Sequence, residues 1–70
     1  MWVRFKVVDE ETKQPVAGVK LRIKLPSGEI QTAVTNAAGM IHLGGIDPGA
    51  CDIVSMKDDA ALEVTSVASN

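Results

Sequence analysis

Residues 20–35, KLRIKLPSGEIQTAVT, contain two strand-like segments that flank a turn signal. The first segment alternates leucine or isoleucine with cationic residues, as a half-buried antiparallel strand requires. Pro26 restricts its own φ angle and Gly28 can adopt a positive one, which together are typical of a hairpin turn. The stretch therefore predicts two antiparallel strands joined by a tight turn.

The same period of two recurs along most of the chain and predicts which side chains are buried. Strand-like segments also cover residues 2–8, 40–43, 51–56 and 62–67, whereas residues 57–61 are expected to form a loop or one helical turn. The last few residues are expected to fray. The side chains expected to face the core are Val3, Phe5, Val7, Leu21, Ile23, Leu25, Ile30, Thr32, Val34, Ile41, Leu43, Cys51 and Ile53.

Turn signals separate these segments. Asn36 and Gly39 mark one turn, and the glycine-rich residues 44–49 form another. These glycines do not indicate a phosphate-binding loop, because no GK[ST] motif follows them and no helix is predicted to offer its N-terminus. They serve backbone geometry instead. The pattern predicts one all-β domain over residues 1–70, a sandwich or small barrel of about six or seven strands.

Composition excludes several classes of protein. The single cysteine rules out an internal disulfide and favours a reducing compartment. A net charge of −2, an isoelectric point of about 5.1 and only two aromatic residues argue against nucleic-acid binding. Arg4 and Lys6 interrupt the first apolar segment, so no signal peptide is expected. The apolar runs are too short to span a membrane.

The residues that could perform chemistry stand alone in the sequence. His42 is expected on the outward side of a strand, without a second histidine or a nucleophile arranged beside it. Cys51 is expected to be a small buried apolar residue, because its charged neighbour Asp52 disfavours a reactive thiolate. The acidic runs 9–11 and 58–59 lack the alternating ligands and glycine of a calcium loop. We predict no catalytic residue, no metal site, no cofactor and no small-molecule ligand.

Outward side chains of the first two strands are therefore the candidate functional residues. All but one of them are cationic, and the exception is a tryptophan that shares their face or folds over the sandwich edge. Two interpretations stay open: a solubilising outer face, or a docking face for an acidic protein partner. The candidate partner-binding residues are Trp2, Arg4, Lys6, Lys20, Arg22 and Lys24.

The order of strands and turns resembles the transthyretin-like, carboxypeptidase regulatory-like domain family. That pattern contains a D-x-x-T-x-x-P-V-x-G-V step, a T-[DN]-x-x-G turn and an L-x-G-[IL]-x-P-G turn. The matching residues are Asp9, Thr12, Pro15, Val16, Gly18, Val19, Thr35, Asn36, Gly39, Leu43, Gly45, Ile46, Pro48 and Gly49. The resemblance implies a small prealbumin-like Greek-key β-sandwich, a fold that hosts many functions.

Two further stretches suggest a context. LPSGE at residues 25–29 and PGACDI at residues 48–53 look similar to modules attached to VgrG-type spikes or effectors of bacterial type VI secretion. The resemblance implies a non-catalytic adaptor that docks a spike component or effector protein. It also implies a bacterial cytoplasmic location, with export as part of the machine. The alternative is a structural spacer or adhesin-type repeat that binds carbohydrate or matrix.

Two other relatives of the fold carry chemistry that this chain does not match. Transthyretin-like hydroxyisourate hydrolases need several histidines and a C-terminal Tyr-Arg-Gly-Ser, whereas this chain has one histidine and no tyrosine. Adhesin B-type domains are welded by a Lys–Asn isopeptide bond beside a buried acid. Lys6 alternates outward and Asn70 lies at the fraying end, so no such bond is expected.

Overall fold

The computed structural model describes residues 1–57 and 61–69, and it confirms the predicted all-β sandwich. In these residues two three-stranded antiparallel sheets have the strand orders β4-β1-β6 and β3-β2-β5. Two expectations about segment ends are partly wrong, because Lys57 continues β5, and Ala68 and Ser69 pair with β1 instead of fraying. Residues 58–60 of the expected loop, and Asn70, lie outside the described residues. The strands are β1 (Trp2–Asp9), β2 (Lys20–Lys24), β3 (Ile30–Val34), β4 (Met40–Leu43), β5 (Asp52–Lys57) and β6 (Leu62–Ser69).

The turns determine how the two sheets face each other. The Gly28 N–H donates to the Leu25 carbonyl (2.9 Å) and the Leu25 N–H to the Glu29 carbonyl (2.8 Å), which closes the predicted hairpin between β2 and β3. Residues 35–39 then carry the chain from β3 directly to β4 in the other sheet. Since β3 and β4 are edge strands, this short crossing places them on one side of the sandwich. The other edge strands, β5 and β6, lie on the opposite side.

The core lies between the sheets, where the alternating residues of β1, β2 and β4 meet. Fully or almost fully buried residues come from both layers, so the expected faces of these three strands are confirmed. Apolar burial stabilises such a core by about 25 cal/mol per Å² removed from water. The buried apolar residues are Val3, Phe5, Val7, Val19, Leu21, Ile23, Leu25, Ile41 and Leu43.

The predicted face of β3 is wrong. Ile30, Thr32 and Val34 are exposed, because the hairpin register pairs them with the outward residues of β2. The residues on the inner face are instead Gln31 and Ala33, of which Ala33 packs against the core. A one-residue change of register moves every side chain of a strand to the other face. The turn chooses the register, and the apolar character of positions 30 and 34 does not override it.

The predicted burial in and before β5 holds only in part. Cys51 is half-buried against the core, but Ile53 is 39% exposed, so its expected burial is wrong. The register of β5 shifts by one residue near Val54, because Arg22 pairs with Ser55 while Ile23 pairs with Ile53. This irregularity brings Met56, rather than Ser55, against the core. An extra residue in an edge strand changes which side chains face inward.

One polar side chain is buried in this core and links two segments. The Thr35 hydroxyl accepts a hydrogen bond from the Val19 N–H (2.9 Å) and donates one to the Val16 carbonyl (2.8 Å). The Thr35 N–H also donates to the Val19 carbonyl (2.9 Å). Thr35 therefore joins the segment before β2 to the crossing between the sheets.

Replacement of Thr35 by valine is expected to lower the free energy of unfolding by about 1–3 kcal/mol. Valine keeps the shape but leaves the buried Val19 N–H and Val16 carbonyl without that partner. Thr32→Val is the matched control, since Thr32 is exposed on the outer face and its change should stay within about 0.5 kcal/mol. Urea unfolding of the two variants compares them. Equal losses of unfolding free energy in the two variants would show that the hydrogen bonds of the Thr35 hydroxyl do not stabilise the fold.

Candidate interaction surfaces

The sandwich separates the six predicted binding residues into two groups on opposite outer faces. Lys20, Arg22 and Lys24 point outward from β2, the central strand of its sheet. We call them, together with Ile30 and Val34 of β3, the cationic face. The second group lies on the outer face of the β4-β1-β6 sheet. This group consists of Trp2, Arg4 and Lys6, and we call these residues, together with His42 of β4, the aromatic face.

The aromatic face is organised around Trp2. The Trp2 and His42 ring centroids lie 5.6 Å apart with the rings tilted by 31°, and Arg4 Cζ lies 5.2 Å from the Trp2 ring centroid. The pairing of β1 with β4 causes this grouping, because Arg4 and His42 are cross-strand partners. A guanidinium at this distance from an indole gives a cation–π interaction. Trp2 therefore stacks on the outward face that it shares with Arg4.

The cationic face combines charge with exposed apolar surface. The β2–β3 register places Val34 beside Lys20 and Ile30 beside Lys24, and these two apolar side chains are 55% and 44% exposed. Asp52 of β5 is the cross-strand partner of Lys24 on the other side. Within the described residues, no carboxylate oxygen lies within 4.0 Å of the cationic groups of β2.

An open groove runs beside two of these cations. It has a volume of about 340 Å³ and is lined by Lys20, Arg22, Ser55 and Met56. A planar guanidinium, an ammonium and a hydroxyl offer several hydrogen-bond donors to a carboxylate. Met56 completes the lining, while its side chain packs against the core. The groove suits an acidic side chain.

Sequence reasoning missed three members of these surfaces. His42 was predicted to be outward, but its contact with Trp2 depends on the pairing of β4 with β1, which alternation does not determine. Ile30 and Val34 were assigned to the core. Extending the β2–β3 hairpin register outward from its turn at Pro26 would have placed both residues beside the lysines.

The residues considered for chemistry lie apart in the structure. Cys51 is a free, half-buried thiol at the flank of the core, while His42 is exposed on the aromatic face. Lys6 is exposed, and its possible isopeptide partner Asn70 lies outside the described residues. Among residues 1–57 and 61–69, no three His, Cys, Asp or Glu side chains are grouped as a metal site requires. The same residues include no helix of the length and apolar character needed to cross a membrane.

The acidic turn after β1 has a structural explanation. Asp9 Oδ1 accepts hydrogen bonds from the backbone N–H groups of Thr12 (3.0 Å) and Glu11 (2.9 Å). These bonds favour the carboxylate and lower the pKa of Asp9 below its usual 3.8. Lys13 Nζ lies 2.7 Å from Glu63 Oε2, and this contact raises the pKa of Lys13. The ion pair between Lys13 and Glu63 thus connects the turn to β6.

The Asp9 turn predicts a pH dependence of stability. A carboxyl whose pKa is lower in the folded state contributes stability that is fully present above pH 3.8, the usual pKa. That contribution is lost as the pH falls through the lowered folded-state value. Asp9→Asn keeps an acceptor oxygen but cannot ionise, so its midpoint of urea unfolding should lie below wild type near pH 6. The gap should narrow below pH 3.8, and a gap that is constant with pH would contradict this explanation.

Comparison with known proteins identifies the class. Residues 1–66 match the family described as SpaA: Prealbumin-like fold domain, so the chain belongs to that family. No curated protein and no solved structure matches the chain. The family supports the expected transthyretin-like sandwich and indicates a protein-interaction or adhesin-type module. Its members are typically structural and non-catalytic domains.

Proposed function

We propose that this chain is a non-catalytic docking module whose cationic face binds an acidic protein partner. The observation that supports this proposal is that the outward residues Lys20, Arg22 and Lys24 lie beside the exposed Ile30 and Val34 of the neighbouring strand. An outer face that served solubility alone would not need large apolar side chains between its charges. A partner with carboxylates beside apolar residues would match both components.

The charges and the apolar residues would contribute differently to binding. Complementary charges mainly speed association and select the partner, whereas burial of Ile30 and Val34 would slow dissociation. Arginine is enriched among the residues that dominate interface energies. Arg22 lies at the centre of the cationic column and lines the groove, so it is the expected anchor.

We further propose that the module is an appendage of a bacterial type VI secretion spike or effector, where it docks cargo. This placement is supported by the similarity of the LPSGE and PGACDI stretches to modules attached to such proteins. Both stretches lie beside the cationic face, since one contains the turn after β2 and the other leads into β5. The acidic partner would then be a spike component or an effector, met in the bacterial cytoplasm before export.

The second candidate is an adhesin-type spacer repeat, and the family match itself favours it. In that function the sandwich would separate other domains and bind carbohydrate or matrix. The aromatic face would then be the more suitable surface, because a half-buried tryptophan with polar neighbours offers stacking and hydrogen bonds.

Charge reversal on one face at a time tests these proposals. Arg22→Glu with Lys24→Glu changes the cationic face, and Arg4→Glu with Lys6→Glu applies the same change of charge to the aromatic face. Each variant, immobilised, is incubated with a bacterial lysate, and bound spike and effector proteins are quantified by mass spectrometry. We expect the first variant to lose about tenfold or more of the specific capture, and the second to retain it.

The salt dependence of capture adds a second measurement. Binding through exposed charges weakens as added salt screens them, so capture by the wild-type chain should fall with ionic strength. Equal losses in both variants would reject the cationic face as the docking site. Retention of polysaccharide or matrix alone would replace the cargo-docking proposal with the adhesin-type function.

A further inference from the structure

The outer edge of β6 is a second surface with unused bonding capacity. β6 pairs with β1 along its whole length, from Trp2 with Ser69 to Asp9 with Leu62. Its other edge faces no strand in residues 1–57 and 61–69. An open strand edge presents backbone donors and acceptors that can pair with another strand.

The hydrogen bonds of β1 show which residues of β6 direct their backbone N–H and C=O groups toward the open edge. We call these edge-directed backbone groups outward groups. The backbone of Val7 bonds on the β4 side: its N–H donates to the Gly39 carbonyl (2.8 Å), and its carbonyl accepts from the Val16 N–H (3.0 Å). On the β6 side, the Glu10 N–H donates to the Ala61 carbonyl (3.1 Å). Because bonding direction alternates along a strand, even-numbered residues of β1 bond to β6. Their partners in β6 are odd-numbered. The N–H and C=O groups on the open edge therefore belong to Leu62, Val64, Ser66 and Ala68.

β6 also lacks the features that protect other edges. It has eight residues in regular register with β1, and its only charged residue is Glu63. β3 and β4 are short, with five and four residues, and β5 carries a register shift and begins with Asp52. Natural edge strands avoid association through short length, lysine, proline or bulges. From Val64 to Ser69, β6 has none of these.

The inner face beside this edge is uncovered. Ser66 and Ala68 lie opposite Phe5 and Val3, which are 2% and 3% exposed, yet both are themselves exposed. Ile53 of β5 lies on the same side of the sandwich and is 39% exposed. In the part of the chain that the structure describes, small and apolar side chains between β5 and β6 are therefore in contact with solvent.

We propose that β6 pairs with β6 of a second copy of this chain, in antiparallel orientation about a two-fold axis. Outward groups can bond only to outward groups, so even-numbered residues must oppose even-numbered residues. A two-fold axis at Thr65 pairs Leu62 with Ala68 of the second copy and Val64 with Ser66 of the second copy. This register uses the outward groups of all four residues.

The charge on β6 and the exposed inner face beside it favour a second copy of this chain as the partner of the open edge. With the axis at Thr65, Glu63 lies opposite Val67 of the second copy, so the two glutamates do not oppose each other. Pairing with the same strand makes a self-complementary interface, as a two-fold dimer requires. It extends the β4-β1-β6 sheet to six strands. It also brings Ile53 and Val54 of both copies toward the exposed inner face at Ser66 and Ala68. The cationic face stays free, so this pairing is independent of the acidic partner.

Amide protection in the 70-residue chain tests the pairing at single-residue resolution. Sedimentation should show a concentration-dependent species of twice the 7.4 kDa mass. In NMR hydrogen exchange, the amides of Val64, Ser66 and Ala68 should gain protection as this species forms. The amides of Thr65 and Val67 already bond to β1 and should change little. A chain that stays monomeric across the range, or gains protection equally at all five amides, overturns the proposal.

Proline at Ser66 removes an outward N–H without removing a bond to β1. Ser66→Pro should lose the dimer over the same concentration range, while Ser66→Ala, which keeps the N–H, should retain it. Circular dichroism and the chemical-shift dispersion of the core methyl groups show whether Ser66→Pro is folded. A folded Ser66→Pro that dimerises like the wild type overturns the proposal.

Cross-linking gives an answer that does not depend on the proline variant. With Cys51→Ala removing the native thiol, Thr65→Cys places two cysteines opposite each other at the axis. Their Cα atoms would be about 4.5 Å apart, within disulfide range. Val67→Cys, the matched control, would separate its thiols by roughly 14 Å along the strands. Oxidation should give a covalent dimer with Thr65→Cys only. Equal cross-linking of both variants, or of neither, would reject this interface.

Discussion

Replacement of Ile23 by alanine is expected to lower the free energy of unfolding by about 2–5 kcal/mol. Ile23 is fully buried on the central strand β2, so the substitution removes apolar contact and leaves a cavity between the sheets. A core in a chain of this size supplies only about 3–5 kcal/mol in total. We therefore expect a large unfolded fraction without denaturant, measured by circular dichroism and urea titration.

Ile30→Ala is a closely matched control for this experiment. It deletes the same atoms from the neighbouring strand of the same sheet, but Ile30 is 44% exposed on the cationic face. Its loss of stability should stay within about 0.5–1 kcal/mol. A similar loss at both positions would mean that the described faces of β2 and β3 are incorrect. Ile30→Ala should also weaken capture of an acidic partner, so one variant tests the fold and the docking face together.

Replacement of Gly39 by alanine is expected to cost roughly 2–5 kcal/mol. Gly39 has a φ angle of +72°, and an added Cβ would lie 2.6 Å from the Val7 carbonyl oxygen and 3.0 Å from the Val16 backbone nitrogen. Both neighbours are backbone atoms, and they bond to each other at 3.0 Å. The added methyl group therefore forces the crossing between the sheets away from β1 at Val7 and from the segment at Val16. Thermal unfolding followed by circular dichroism measures the loss.

Gly28→Ala separates the two causes of that loss. Gly28 also has a positive φ angle, +93°, but no atom lies within 4 Å of its added Cβ. Its cost should be limited to the left-handed conformation, about 1–2 kcal/mol. The difference between the two alanine variants measures the close approach at Gly39. Equal destabilisation would show that the turn accommodates the methyl group and that conformation alone requires glycine.

The strands that sequence reasoning assigned correctly share one property. In β1, β2 and β4, the inner face carries only apolar residues and the outer face includes charged or polar ones, so alternation identifies the buried side. β3 lacks this contrast, because Ala33 and Thr32 differ little in polarity and the larger apolar residues are Ile30 and Val34. Its face follows from hydrogen bonding across the hairpin turn. A pattern that considers one strand at a time does not contain that information.

The candidate surfaces were predictable as residues but not as groupings. Alternation placed Arg4 and Arg22 outward and left Trp2 either beside Arg4 or over the sandwich edge, without showing that Arg4 and Arg22 lie on opposite faces. That separation depends on which strands pair, and thus on contacts between residues far apart in the chain. The stacking of His42 on Trp2 depends on the same long-range pairing. Turn geometry, by contrast, is local, and the hairpin at Gly28 was predicted correctly.

The back-to-back arrangement of the cationic and aromatic faces has a consequence for assembly. The layers of a β-sandwich lie about 10 Å apart, so a molecule bound on one outer face makes no contact with the side chains of the other. Two molecules can therefore be held without competing for each other's residues. If the proposed docking on the cationic face is joined by binding on the aromatic face, the sandwich would set the spacing between the two bound proteins.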